Sequence, residues 1–298
     1  MKKLACLVLA AGLIAGPAQA QSDISKAMRG VFHLGNARGP IRPVDLSPAK
    51  GPVSSEILAG PGNGLDSAFI LYTRMAAGVH TGALYALPVD HTYLVLSGKL
   101  NVQLGTDRFI AGPDTLVLVP AGVPHRVWNE GAEPETDFQV VTPAPSRDLV
   151  SMMKPATARK IDNAAQYVRP APHLDKLAGG QGHDSLNERV LASRATGSQY
   201  VLERLNDVLP GGGRTEPHIH PFDQAYFIRQ GTMTVQYGLA NYEAGANTLV
   251  LLPAGVVHNN LNNGTSPQST ITILLPEPEK GNPMGADVEV AKRAGRPQ

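Results

Sequence analysis

The chain has 298 residues, 42% of them hydrophobic and 17% charged, and a formal net charge of +1. That balance excludes a disordered chain and a membrane-spanning one. Without a long basic run there is no nucleic-acid footprint, so a small molecule is the expected partner. The length suits one large domain or two ordinary ones, and 31 Gly with 25 Pro suit many turns between short strands.

In chain order, Met1-Lys2-Lys3 is a positive start, LACLVLAAGLIAG is an apolar run, and AQA ends at Ala20. This is the order of a secretory signal peptide over residues 1–20. The apolar run is short for a transmembrane helix. Cleavage would remove Cys6, the single cysteine, leaving no disulfide, thiolate ligand or cysteine nucleophile. It would also remove Lys2 and Lys3, taking the formal charge from +1 to −1. The expected location is the periplasm or the exterior. Residues 21–44 read as an N-terminal arm.

The rest of the chain contains itself twice. A shift of 133 residues lays VPAGVPHRVWNEG (Val119 to Gly131) on LPAGVVHNNLNNG (Leu252 to Gly264). It also lays LSGKLNVQLG on RQGTMTVQYG, and Pro88, Asp90 and Tyr93 on Pro221, Asp223 and Tyr226. The match runs without a gap from Pro88 to Gly131, with about half the positions identical. The copies are placed at 45–150 and 188–278. Runs such as TYLVLSGKLNVQLG and TLVLVPAG predict short strands joined by glycine turns, several of them buried in a sandwich or barrel. Residues 151–187 read as a linker with short helical pieces, and 279–298 as an extended or disordered tail.

The second copy resembles the cupin superfamily, and the whole chain a bicupin. The family's first motif is G(X)5HXH(X)3–4E(X)6G. Here Gly212 or Gly213 leads to His218 and His220, then to Gln224 and Gly231. The second motif is G(X)5–7PXG(X)2H(X)3N, met by Gly245, Pro253, Gly255, His258 and Asn262. The resemblance implies an all-β fold of two tandem jelly-roll β-barrels and, since cupins often pair through edge strands, a homo-oligomer.

Strand geometry accounts for the spacing independently. Residues two apart share a face, so His218, His220 and Gln224 point inward together. His258 approaches on another strand after a tight turn. Three imidazoles at one point suit a divalent transition metal: Fe, Mn, Ni, Cu or Zn. Gln224 stands where the family has glutamate. It is read either as a weak amide-oxygen ligand or as a pocket wall bonded to a histidine. Strand parity turns Asp223 away and puts Tyr226 and Asn262 inward, Tyr226 as a proton donor or substrate contact. Arg214 reads as a charge near the mouth.

In the first copy, Tyr85, Leu87, His91 and His125 stand opposite His218, His220, Gln224 and His258. That copy is expected to be structural, with a His80–His91–His125 site as the alternative. For the chain as a whole, the resemblance implies a metal-dependent dioxygenase acting on an enediol, flavonol or phenolic substrate, as quercetinase-like cupins do. A non-oxidative decarboxylase, lyase or isomerase and a small-molecule binder without turnover remain open.

Overall fold

Strand alternation splits each repeat between two surroundings. In the strand Glu135–Thr142, Gln139 bonds His91 inside the first barrel. Its neighbours Phe138 and Val140 join a core shared with the second barrel. In the strand Asp223–Gln230, Tyr226 and Ile228 fill the second barrel, while Ala225 and Phe227 face the first. Side chains one apart must separate in this way on a pleated strand.

The computed structural model describes residues 40–47, 51–80, 82–144, 148–180, 182–281 and 284–288. The expected signal peptide and nearly all of the expected arm lie outside this set. The fold is all-β. Each copy pairs a six-stranded sheet with a five-stranded one. The first six-stranded sheet runs Val168–Pro170, Thr115–Val119, Asp90–Ser97, Glu135–Thr142, Phe69–Met75, Val53–Ala59. The second runs Ile41–Pro43, Thr248–Leu252, Asp223–Gln230, Gln268–Leu275, Leu202–Val208, Asn187–Ala192. These two sheets pack on each other between the barrels, with the rings of Phe138 and Phe227 4.7 Å apart.

Two pairings cross the sequence boundaries. Ile41–Pro43, ahead of the first copy, edges the second copy's sheet along Thr248–Val250. Val168–Pro170, ahead of the second copy, edges the first copy's sheet along Thr115–Val117. The two copies thus exchange their leading segments, and each covers an edge that would otherwise be open. The stretch read as a linker also supplies Lys154–Pro155, paired to Tyr85–Ala86, and the short helix Leu149–Met152 lies just before it. Within the stretch read as a tail, Ala286–Asp287 forms the outer strand of the second five-stranded sheet.

Gly231 turns the chain at φ +76°, and a Cβ there would meet the Pro267 carbonyl at 2.9 Å. Gly98 does the same in the first copy at φ +74°. The repeat therefore needs glycine at this corner, for space and for conformation.

Candidate metal centre

His218 lies near the end of the strand Gly213–Ile219 and pairs directly with His258, the first residue of His258–Leu261. His220 follows just past the strand end. The Pro253-Ala254-Gly255 turn presents His258, with Val256 N donating to Pro253 O at 3.1 Å. Gly255 N donates to His220 O at 2.9 Å, tying this turn to the second histidine. The three rings are 4.3 to 5.0 Å apart by centroid, and all three residues are buried. Their ligand atoms lie within 4.8 Å of one another. Phe222 stacks on His220 at 4.7 Å.

Hydrogen bonds fix the tautomers. Each Nδ1 faces a main-chain carbonyl: His218 to Glu216 O at 2.9 Å, His220 to Met284 O at 2.5 Å, His258 to Val256 O at 2.9 Å. A carbonyl only accepts, so each Nδ1 carries the hydrogen and each Nε2 keeps a lone pair. Burial, the largest cause, lowers His218 and His220 to about 4 and His258 well below its ordinary value. The rings are therefore neutral at physiological pH, as ligands must be.

Gln224 lies beside the triad. Its Nε2 donates to the Tyr226 hydroxyl at 2.8 Å, and that hydroxyl donates to Asn260 Oδ1 at 3.3 Å. This donor chain aims Gln224 Oε1 at His258 Nε2, 3.0 Å away. That contact has two chemical resolutions: a cation between the two lone pairs, or the amide turned over so that its N–H donates to His258 Nε2 as a wall of the pocket. With bonds of about 2.1 Å, neighbouring ligands on one metal sit about 3.0 Å apart at octahedral right angles and about 3.4 Å apart at tetrahedral ones. The donor set thus fits a divalent transition metal.

The other expected residues sort as follows. Tyr226 points inward as parity required, and burial pushes its phenol far above the ordinary range. Asn262 does not join the site. Its strand ends at Leu261, so the alternation stops, and its side chain ties Val208 O, Ser266 O and Gly264 N together. Asp223 accepts from the Ser67 hydroxyl at 2.6 Å and from Ala254 N at 3.0 Å. Arg214 is paired with Asp287 at 2.5 Å. The alternative first-copy site is not assembled: His80 is exposed, and among the described residues the second-copy triad is the only such cluster. His91 instead bonds Gln139 at 2.9 Å, and Tyr85 bonds Tyr93 at 2.8 Å. Sequence reasoning missed Asn260, Phe222 and the Met284 carbonyl. Asn260 alone carried a signal, two residues after His258 on the same strand.

Two tandem jelly-roll barrels, one holding three convergent imidazoles, define a double-barrel protein with a cluster of metal-ligating residue type. The model of the Cupin domain matches residues 72–141 and 205–274, one stretch per barrel. The chain belongs to the cupin superfamily, as a bicupin. No curated protein matches the sequence significantly. Among solved structures, AerE from Microcystis aeruginosa is similar at 16% identity and TM-score 0.57, over 80% of this chain and 98% of that one. Oxalate decarboxylase from Bacillus subtilis is similar at 12% identity and TM-score 0.59, over 80% of this chain and 77% of that one. A putative glyoxylate-induced protein from Pseudomonas aeruginosa follows at 12% and 0.55, over 84% and 86%. At such identities the likeness is one of fold.

Proposed function

We propose that the second barrel holds a divalent transition metal on His218, His220 and His258, with Gln224 as a weak fourth ligand. We propose further that the protein is a dioxygenase acting on a small anion that chelates through two oxygens, such as an enediol, flavonol or phenolate. The observation that carries this reading is the convergence of three imidazole lone pairs and one neutral amide oxygen. Among the described residues no carboxylate joins the set, so the charge of a cation there is left for an anionic substrate. When bound, the metal would supply Lewis acidity, and Fe, Mn, Ni or Cu, unlike Zn, would also supply the one-electron chemistry that a dioxygenase needs.

The protein's own groups set the rest. Tyr226 keeps its proton, held by burial, and at rest donates it to Asn260 Oδ1, so it serves as a donor to substrate only where that bond is given up. The Gln224 amide holds that hydroxyl in place. Phe222, stacked on His220, limits the swing of that ring. With no carboxylate base in the set, the substrate must be acidic enough to arrive ionised, which favours enediols and flavonols over simple alcohols.

The test is oxygen uptake by metal-loaded protein offered enediol, flavonol and catechol substrates. Uptake by wild type and none by His258→Ala is the expected result. Silence with every substrate removes the dioxygenase reading. Turnover under argon instead moves the site to decarboxylation or isomerisation, in which the Tyr226 proton would quench a carbanion. Wild-type protein that takes up no metal leaves a small-molecule binder.

A further inference from the structure

We propose that the segment Met284–Val288 is a strap that positions His220 and so sets how tightly the second barrel holds its metal. The inference rests on the metal reading above and adds a controlling element to it.

The strap touches the site at three levels. Its Met284 carbonyl is the acceptor for His220 Nδ1, at 2.5 Å. Without that acceptor the ring is free to take its other tautomer and turn its lone pair away. Gly285 lies so close that a Cβ there would meet Ile219 O at 2.4 Å and His220 Nδ1 at 2.7 Å. Only glycine lets the main chain reach the ring. Asp287 pairs with Arg214, whose positive charge bears on both His218 and His220. The strap thus brings a compensating carboxylate to the rim of a site meant for a cation.

Its anchoring is modest. Asp287 and Ala286 pair with His218 and Ile219, and Val288 N donates to Pro217 O at 2.8 Å. Ala286 and Val288 pack on Ile219 and Val257. A two-residue strand at a sheet edge belongs to the easily opened part of a structure. Binding linkage is reciprocal: whatever the strap adds to metal affinity, the metal returns to the strap.

The experiment measures Zn²⁺ affinity by chelator competition in full-length wild type, Gly285→Val, Asp287→Ala and Met284→Ala. Nitrogen NMR of the histidine rings is recorded on the metal-free proteins. Gly285→Val is expected to weaken binding about 10–100-fold, the usual cost of losing a partner behind a ligand. It should also mix the His220 tautomers while leaving His218 and His258 unchanged. Asp287→Ala, at an exposed position, should weaken binding by a smaller factor with the fold intact. Met284→Ala should stay within twofold, because only the main-chain carbonyl is used. Wild-type affinity in both Gly285→Val and Asp287→Ala, or an unchanged His220 signal in Gly285→Val, overturns the strap. Wild type that takes up no zinc overturns the metal reading beneath it.

Discussion

Tyr85 and His125 are partners on adjacent strands of the first barrel, with ring centroids 4.3 Å apart and planes at 53°. His218 and His258 are paired alike in the second barrel, at 4.3 Å and 54°. Duplication has kept the frame of the centre in both barrels, and what differs is the chemistry of the side chains mounted on it. The silent barrel is thus two side chains short of a triad, since Leu87 stands where the second copy has His220.

The double variant Tyr85→His, Leu87→His is therefore expected to raise zinc content from one to two ions per chain, measured by elemental analysis of tag-free protein. Leu87 is buried, so the metal-free variant should lose about 2–4 kcal/mol of stability from an unsatisfied polar group. Zinc should restore part of that loss. A stoichiometry that stays at one would show that the shared ring geometry is insufficient without the turn and carbonyl contacts of the second copy.

His258→Ala and His125→Ala separate the barrels. Both histidines are fully buried, so both truncations should cost a few kcal/mol in urea unfolding. Only His258→Ala should empty the protein of metal. Equal metal content in the two variants would mean that the cation is held elsewhere.

At position 224 the sign of a charge is the test. Gln224→Glu puts a carboxylate oxygen where the amide oxygen now lies 3.0 Å from His258 Nε2. Divalent-metal affinity should rise about tenfold or more, or about 1.4 kcal/mol. Affinity for 4-nitrocatechol, an anionic bidentate probe, should fall as the site's positive charge is reduced. Unchanged metal affinity would place Gln224 outside the coordination sphere.

Part of the centre was legible from local pattern. His258 follows a Pro-Ala-Gly turn that fixes its approach, but the single alternation expected to carry His218, His220 and Gln224 inward together is broken: the first strand ends at Ile219, and Gln224 lies on Asp223–Gln230 in the other sheet. The reading failed where that period ended. Asn262 was expected inward but lies one residue past its strand, where the chain bends and its amide stitches the turn. The exchanged segments Ile41–Pro43 and Val168–Pro170 are three residues each, too short to show alternation. The Met284 contact is made by a main-chain carbonyl, which no side-chain pattern announces.

Glu203 offers a test of the inter-barrel core that is independent of any metal. It is fully buried, and its Oε2 accepts from the Thr92 hydroxyl of the other copy at 2.8 Å. Burial raises its carboxyl from 4.5 to about 7. Between those values the folded state holds a proton that the unfolded chain releases. The resulting stability is present below about pH 4.5 and is lost as pH rises through about 7. Glu203→Gln keeps an acceptor for Thr92 and removes the titration. Urea unfolding should find the variant close to wild type at pH 5. At pH 8 it should be more stable than wild type by up to about 3 kcal/mol. Other buried groups, including the raised carboxyls of Glu135 and Asp137, are common to both proteins and cancel in the difference. The same difference at both pH values would mean that Glu203 is ionised in the folded protein throughout, and that the contact between the barrels admits more water than its packing implies.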